Sequence, residues 1–283
     1  MTVLVFGRSG QVASELRLLG PCIALGRDEA DLEDPAACRA AIERHGPAAV
    51  VNAAAFTAVD QAETQEALAT RINGEAPGEM ARACAARGIP FVHLSTDYVF
   101  DGTGTAPWRP SDPVAPQNAY GRSKLAGEEA VRAAGGIHAI LRTSWVFSAR
   151  GANFVKTMLR LSQTRDALNV VDDQIGGPTP ADAIAAACMT IARQLAADPA
   201  GSGTYHFSGA PDTSWESFAR ETFSRAGRPV AVTGIPTSAY PTPARRPLNS
   251  RMDCSSLTRT FGIERPDWRD GLDRVLAQLG QVD

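Results

Sequence analysis

Cysteine is scarce in this chain. Only five of the 283 residues are cysteine (Cys22, Cys38, Cys84, Cys188 and Cys254), an odd number, dispersed, and never in a CxxC pair. That excludes a disulfide framework and the common dithiol motif, and it reads as small buried hydrophobes in a reducing compartment. Histidine is just as sparse: His45, His93, His138 and His206 share no zinc-like spacing. An excess of one charge is also lacking, because 28 Lys and Arg against 31 Asp and Glu leave a net charge of −3. The chain therefore carries no electrostatic footprint for nucleic acid. No apolar run reaches the roughly 18 residues of a membrane span. The first residues read as a strand, not as a charged leader with a cleavable core. These absences set the expectation of a cytoplasmic enzyme with a small-molecule partner and no nucleic-acid or membrane partner.

Hydrophobic content is 44%, enough for a large core divided between one large and one smaller lobe. Apolar runs at 3–6, 22–25, 48–55, 90–95 and 137–147 alternate with helical stretches at about 10–19, 35–45, 60–87 and 119–134. That alternation predicts an α/β fold, a doubly wound parallel sheet of Rossmann type with right-handed crossovers. Beyond Gly151 the pattern loosens. Helical patterns at Asn153–Gln163 and Pro180–Ala197 flank Val170–Ile175. Thr204–Phe207 is strand-like, Trp215–Ala226 is helical, and a final helix starts near Trp268. Pro236, Pro241, Pro243 and Pro247 make their stretch extended or turned. The expected division is a dinucleotide-binding domain over 1–150, with returning segments near 170–208, and a smaller C-terminal substrate-binding lobe over 209–283. No internal repeat or low-complexity tract is visible.

Two motifs carry chemistry. The run Val3–Phe6 leads directly into Gly7, Ser9, Gly10, Gln11, Val12 and Ala13 and then a helix. Strand, glycine turn and helix are the context in which backbone N–H groups hold a pyrophosphate. The spacing is GxxGxxA, and Ala13 is small enough for close helix–strand packing. At the end of the second strand stands Arg27, where an acidic residue would bind both ribose hydroxyls and an arginine favours a 2′-phosphate. NADPH is the expected cofactor, with Asp31 and Leu32 beside it; Asp28 and Asp31 leave NADH use open. Ala53, Ala54, Ala55 and Thr57 close the run over 48–55 and should line the cofactor as well. Ala55 reads equally as an ordinary buried loop residue.

The second motif joins Ser95 and Thr96, ending an apolar run, to Tyr120 and Lys124. Tyr120 and Lys124 are four apart in a stretch of good helix formers, so they share one helical face. A phenol beside an ammonium is expected to have a lowered pKa. Alone, the pair also fits a packing tyrosine and a solvated lysine; the glycine turn and the threonine supply the rest of a site.

Beyond these motifs, Asn52–Glu63, Ser95–Phe100, Tyr120–Glu128, Arg142–Phe147, Gly177–Thr179 and Arg246–Ser250 extend over nearly the whole chain. With Gly7, Gly10, Gln11 and Val12 they resemble the extended short-chain dehydrogenase/reductases and, within them, the dTDP-4-dehydrorhamnose reductase family. The resemblance implies NADPH-dependent reduction of the C4 keto group of dTDP-4-dehydro-6-deoxy-L-mannose to dTDP-L-rhamnose. Tyr120 would donate the proton, Lys124 would hold the cofactor and assist the phenol, and Thr96 would bond the same oxygen. Asp97, Tyr98 and Trp145 would touch the sugar and Arg246 the diphosphate, although an ion pair suits Arg246 nearly as well. Asp60 and Glu63 read as an acidic first helical turn. Relatives also include non-catalytic regulatory subunits, 4-epimerases and 4,6-dehydratases; the last would need a glutamate where Tyr98 follows Asp97. Some members dimerise through magnesium at acidic residues. Here Glu15 matches, but Asp198–Gly203 offers a single carboxylate, so magnesium is not expected to be essential and a monomer or weak homodimer is expected.

Overall fold

Val3–Phe6 (β1) is an unbroken apolar tetrapeptide with every residue buried, as a strand covered on both faces requires. In the computed structural model, which describes residues 1–281, five more strands join it: Cys22–Leu25 (β2), Ala49–Asn52 (β3), Phe91–Thr96 (β4), His138–Thr143 (β5) and Gly203–His206 (β6). All pair in parallel, in the order β6-β5-β4-β3-β1-β2. The chain runs outward from β1 to β2 and then returns to the far side of β1. The topological switch point therefore lies between β1 and β3, where open α/β sheets bind ligands.

Helices cover both faces. Gln11–Leu16 (α1) follows β1, and Pro35–His45 (α2) starts at an Asp34 cap that accepts from the N–H groups of Ala36 and Ala37 and stops at left-handed Gly46. Ala76–Arg87 (α3) and Ala119–Ala133 (α4) pack on the α2 side. Ala181–Ala197 (α5) packs with α1 on the other.

The second lobe is built differently. Ala167–Val171 pairs in parallel with Ala231–Ile235, and Ile175–Gly176 lies between Thr213–Ser214 and Asn249–Ser250. Phe147, Phe218 and Trp268, with Phe154 and Trp215 against them, fill its core. The strand Ala231–Ile235 and the helix Ser255–Phe261 were not expected from sequence.

Three expectations need correction. The segment near 170 does not return to the large domain, because Ala167–Val171 finds its partner in the second lobe; the return begins with α5. Conversely, Leu257 and Phe261, within the expected 209–283 lobe, complete the large core against α5 and Tyr205. The boundary at 283 lies outside the described residues. The continuous helix over 60–87 is instead Val59–Ala62, Glu66–Thr70, a π-helical turn at Arg71–Glu75, and α3.

Candidate functional site

A cleft of about 550 Å³ opens at the carboxyl edge of the sheet, over the switch point. The structure brings to it every residue expected to hold a cofactor: Gly7, Ser9, Gly10, Gln11, Val12, Arg27, Asp31, Leu32, Ala53, Ala54, Ala55, Thr57, Tyr120 and Lys124. Gly7 makes the turn possible. Its φ is +108°, and a Cβ there would stand 3.3 Å from Ala13 Cβ and 3.4 Å from the Ala53 carbonyl carbon. The turn thus lies directly against both α1 and the end of β3. Gly10 caps α1 without a side-chain hydrogen bond, so the cap itself leaves the first-turn N–H groups open.

One end of the cleft carries two arginines, with Asp31 beside them. Arg27 is exposed on its wall. Arg8, which sequence reasoning passed over, lines the same wall and donates to Asp28 Oδ1 at 2.5 Å and to Glu29 Oε2 at 2.8 Å. The hydrogen bond from Arg8 holds the Asp28 carboxyl below its ordinary range. An acidic residue that would oppose a phosphate is thereby engaged by a guanidinium.

At the other end stands α4. Its first turn is fixed twice: the Asn118 side chain accepts from Gly121 N–H and Glu63 Oε1 accepts from Ala119 N–H, each at 2.8 Å. Gly121 lets the helix approach closely, since a Cβ there would meet the Tyr98 carbonyl oxygen at 2.2 Å. Lys124 is buried and donates to the Leu94 carbonyl at 2.7 Å. Burial brings its ammonium down to about 8, with Glu128 opposing the shift. The expectation of a lowered phenol is not met. Burial pushes Tyr120 up to about 12, and the hydrogen-bonding influence of Thr96 only moderates that. The Lys124 ammonium is directed at a backbone carbonyl, and desolvation governs the phenol. A phenol in that state is fully protonated at neutral pH.

The residues expected on the substrate side gather beside this end without lining the cofactor cleft. Thr96 closes β4; its hydroxyl donates to Asp97 Oδ1 at 3.0 Å and accepts from Tyr98 N–H at 3.2 Å. The Tyr98 and Tyr120 rings meet edge to face at 5.5 Å. Burial pushes the Asp97 carboxyl up to about 6. The Ser250 hydroxyl approaches near enough to oppose that shift but completes no well-formed bond, so Ser250 Oγ and Asp97 Oδ2 both stay buried without a partner among the described residues. Arg246 donates to Asp60 Oδ2 at 2.8 Å, while its Nη1 is buried without a partner among the described residues. Trp145 breaks the expected 137–147 strand at a φ of +50° and lies flat on Trp215, ring centres 3.7 Å apart. One face of its indole is therefore already covered from the second lobe.

Asn73 is the functional-site residue most thoroughly missed. From the π-helical turn it accepts from Phe56 N–H at 2.8 Å and donates to the Phe56 carbonyl at 3.0 Å and to Ser123 Oγ at 2.9 Å. It ties the cleft-lining loop 53–57 to the helix of Tyr120 and Lys124. A π-bulge often marks such a position, but nothing in the composition of Arg71–Glu75 announces one. Glu15 is buried and accepts from Arg150 Nε at 3.3 Å. Among the described residues no three His, Cys, Asp or Glu side chains cluster as metal ligands.

Fold and cleft together define a dinucleotide-binding α/β protein of the oxidoreductase kind. More particularly, the chain belongs to the family described as RmlD substrate binding domain, which matches residues 1–281. It is 48% identical over 285 residues to a dTDP-4-dehydrorhamnose reductase of Burkholderia thailandensis, covering 95% of this chain and 96% of that one. A crystal structure of a dTDP-4-dehydrorhamnose reductase from Clostridium acetobutylicum superposes with a TM-score of 0.93 at 35% identity, over 99% of this chain and 100% of the other. A Bacillus anthracis dTDP-4-dehydrorhamnose reductase in complex with NADP gives 0.90 at 32% identity, over 98% and 99%.

Proposed function

We propose that this chain reduces the C4 keto group of dTDP-4-dehydro-6-deoxy-L-mannose to give dTDP-L-rhamnose, with NADPH as hydride donor and Tyr120 as proton donor. The observation that carries the reading is the placement of a protonated, buried phenol and a buried lysine at one end of a cleft, with the Thr96 hydroxyl beside them, and of Arg8 and Arg27 at the other end. The names of the relatives agree with it.

The cleft fits the cofactor on this chain's own features. The glycine turn admits a pyrophosphate against bare backbone, Ala30, Leu32, Ala54 and Ile72 offer an apolar slot for a base, and exposed Arg27 offers a guanidinium to a phosphate while Arg8 is held by Asp28 and Glu29. When bound, NADPH supplies the hydride. The residues do the rest. As negative charge develops on the sugar O4, the Tyr120 hydroxyl donates its proton to that oxygen, and Thr96 Oγ1 turns from Asp97 to bond it. A phenol near 12 remains a weaker acid than water-exposed carboxyls, so its proton stays in place until the alkoxide forms. Lys124, charged below about 8 and held on the Leu94 carbonyl, would turn toward the phenolate left behind to stabilise it. Asp97 and Arg246, each with an unpartnered buried polar atom, would take the sugar hydroxyls and the diphosphate. Trp145, backed by Trp215, would form the wall of the hexose site.

A non-catalytic NADP-binding role would not require Thr96, Tyr120 and Lys124 together. A dehydratase would want a second carboxylate where Tyr98 stands. Oxidation of NADPH on addition of the 4-keto nucleotide sugar tests the reading. Tight NADPH binding with no substrate-dependent oxidation would defeat it.

A further inference from the structure

Behind the Tyr120–Lys124 pair lies a buried ionic cluster that the reduction as described does not use. Glu128, one helical turn beyond Lys124, is fully buried and receives both prongs of the Arg142 guanidinium from β5, at 2.8 and 2.7 Å. Ser95 on β4 donates to Glu128 Oε1 at 2.7 Å, and Arg132 adds a bond at 3.2 Å. Ser95 also lines the cofactor cleft. Arg142 continues to the Pro110 carbonyl and lies over the Phe100 ring. One carboxylate thus joins the helix, two strands and the cleft floor. Removing one partner of so buried a pair is costly, and bidentate geometry fixes its direction.

We propose that Glu128 is a positioning residue for the reduction: anchored by Arg142 and Ser95, it seats the Tyr120–Lys124 helix on β4 and β5 and sets a carboxylate one helical turn from Lys124. The inference rests on the reading of function above. Lys124 is wholly buried, and burial disfavours its charge; the carboxylate that opposes this is Glu128. Although burial alone would raise Glu128, the bonds from Arg142 and Ser95 keep its carboxyl below the ordinary range, hence ionised. Arg87 ends α3, which packs against α4, and several other charged groups on the elements around α4 have partners of their own. Asp60 meets Arg246, Glu63 meets Ala119 N–H, Glu66 meets Arg122, Arg71 meets Glu75, Glu79 meets Arg82, and Asp97 meets Thr96. His138 of β5 is bonded to the Gly136 carbonyl. His93 of β4 is buried and held neutral, its pKa far down through desolvation and then the charge of Lys124.

The test is the pH profile of kcat/KM in the intact chain, read beside the pH dependence of the NADPH dissociation constant, which needs no turnover. Glu128→Gln should move the alkaline limb of both to lower pH by about one unit, the low end of the roughly 1–3 units a neighbouring opposite charge exerts. Glu128→Asp, which retains the charge, should restore the limb. If the Gln variant does not fold, the double variant Glu128→Met with Arg142→Met removes the pair without stranding a buried guanidinium, a replacement often tolerated. It should shift the limb in the same direction. Limbs that superimpose on wild type in a folded variant overturn the proposal, whatever happens to the amplitude. A wild type that binds NADPH but reduces no keto sugar defeats only the functional reading, because the affinity titration still reports on Glu128.

Discussion

Replacing Asn73 by alanine removes three hydrogen bonds from a residue that is 1% exposed. Phe56 loses the partner of both its N–H and its carbonyl, and Ser123 loses an acceptor bond. A neutral hydrogen bond contributes about 1 kcal/mol net, and a buried group left unpaired costs about 1–3. Phe56 and its loop are partly solvated, so water recovers some of this, and a loss of about 3 kcal/mol is expected. For a chain of this size that lowers Tm by roughly 5–10 °C. The loop held by Asn73 carries Ala53, Ala54, Ala55 and Thr57 on the cleft wall. If about 1.4 kcal/mol of the loss appears in the bound geometry, NADPH affinity falls about tenfold. Asn73→Asp retains the acceptor for Phe56 N–H but turns a buried carboxylate on the Phe56 carbonyl, so it should be at least as destabilising as alanine. Thermal unfolding and fluorescence titration with NADPH measure the two quantities on one sample. An alanine variant that melts early yet binds NADPH as tightly as wild type would refute the link from Asn73 through the loop to the cleft.

Other outcomes follow from the same geometry. Tyr120→Phe should lower kcat by about 10²–10⁴ with NADPH affinity nearly unchanged, since positioned proton transfer has that range; initial rates and equilibrium binding separate the two. Arg27→Asp should weaken NADPH about tenfold to a hundredfold more than NADH, as charge-assisted bonds of about 1.5–3 kcal/mol imply. Equal losses for both cofactors would assign Arg27 to the fold. Trp215→Ala should raise KM for the keto sugar without altering the NADPH dissociation constant, because it strips the backing from Trp145 and stands outside the cofactor cleft. Asp97, whose folded pKa is raised to about 6 by burial, contributes stability that is full below its unfolded pKa and is lost as pH rises through about 6. Asp97→Asn should therefore raise Tm at pH 8, by at most about 3 kcal/mol of stability, and change it little at pH 4.

Much of the large domain was legible because its determinants are local. Val3–Phe6 is apolar throughout, Pro35–His45 has an Asp cap before it and a glycine after it, and Tyr120 and Lys124 share a face by helical spacing alone. The glycine turn is likewise a short-range signal, since Gly7 must sit at positive φ against Ala13 only six residues away. The second lobe resisted for the opposite reason. Ala167–Val171 becomes a strand by pairing in parallel with Ala231–Ile235 across a long intervening stretch, and alternation of short runs there says nothing about partner or register.

The same distinction explains which parts of the site escaped. A residue whose placement depends on its own type and its near neighbours, such as Tyr120 on the helical face of Lys124, can be read from sequence. A residue whose role depends on what stands opposite cannot. Arg8 reads as a solvated turn arginine until β2 brings Asp28 and Glu29 to it. Arg142 reads as a strand end until β4 and α4 place Ser95 and Glu128 around its partner carboxylate. The lowered phenol pKa failed on the same ground. Sequence spacing puts an ammonium one turn from Tyr120, but only the fold turns that ammonium toward the Leu94 carbonyl and removes water from the phenol, and with both partners buried desolvation exceeds the charge effect. The proposed chemistry is unaffected, because a site that reduces a ketone in the way proposed needs its acid loaded. A phenol held high delivers its proton only when a stronger base, the alkoxide, forms against it.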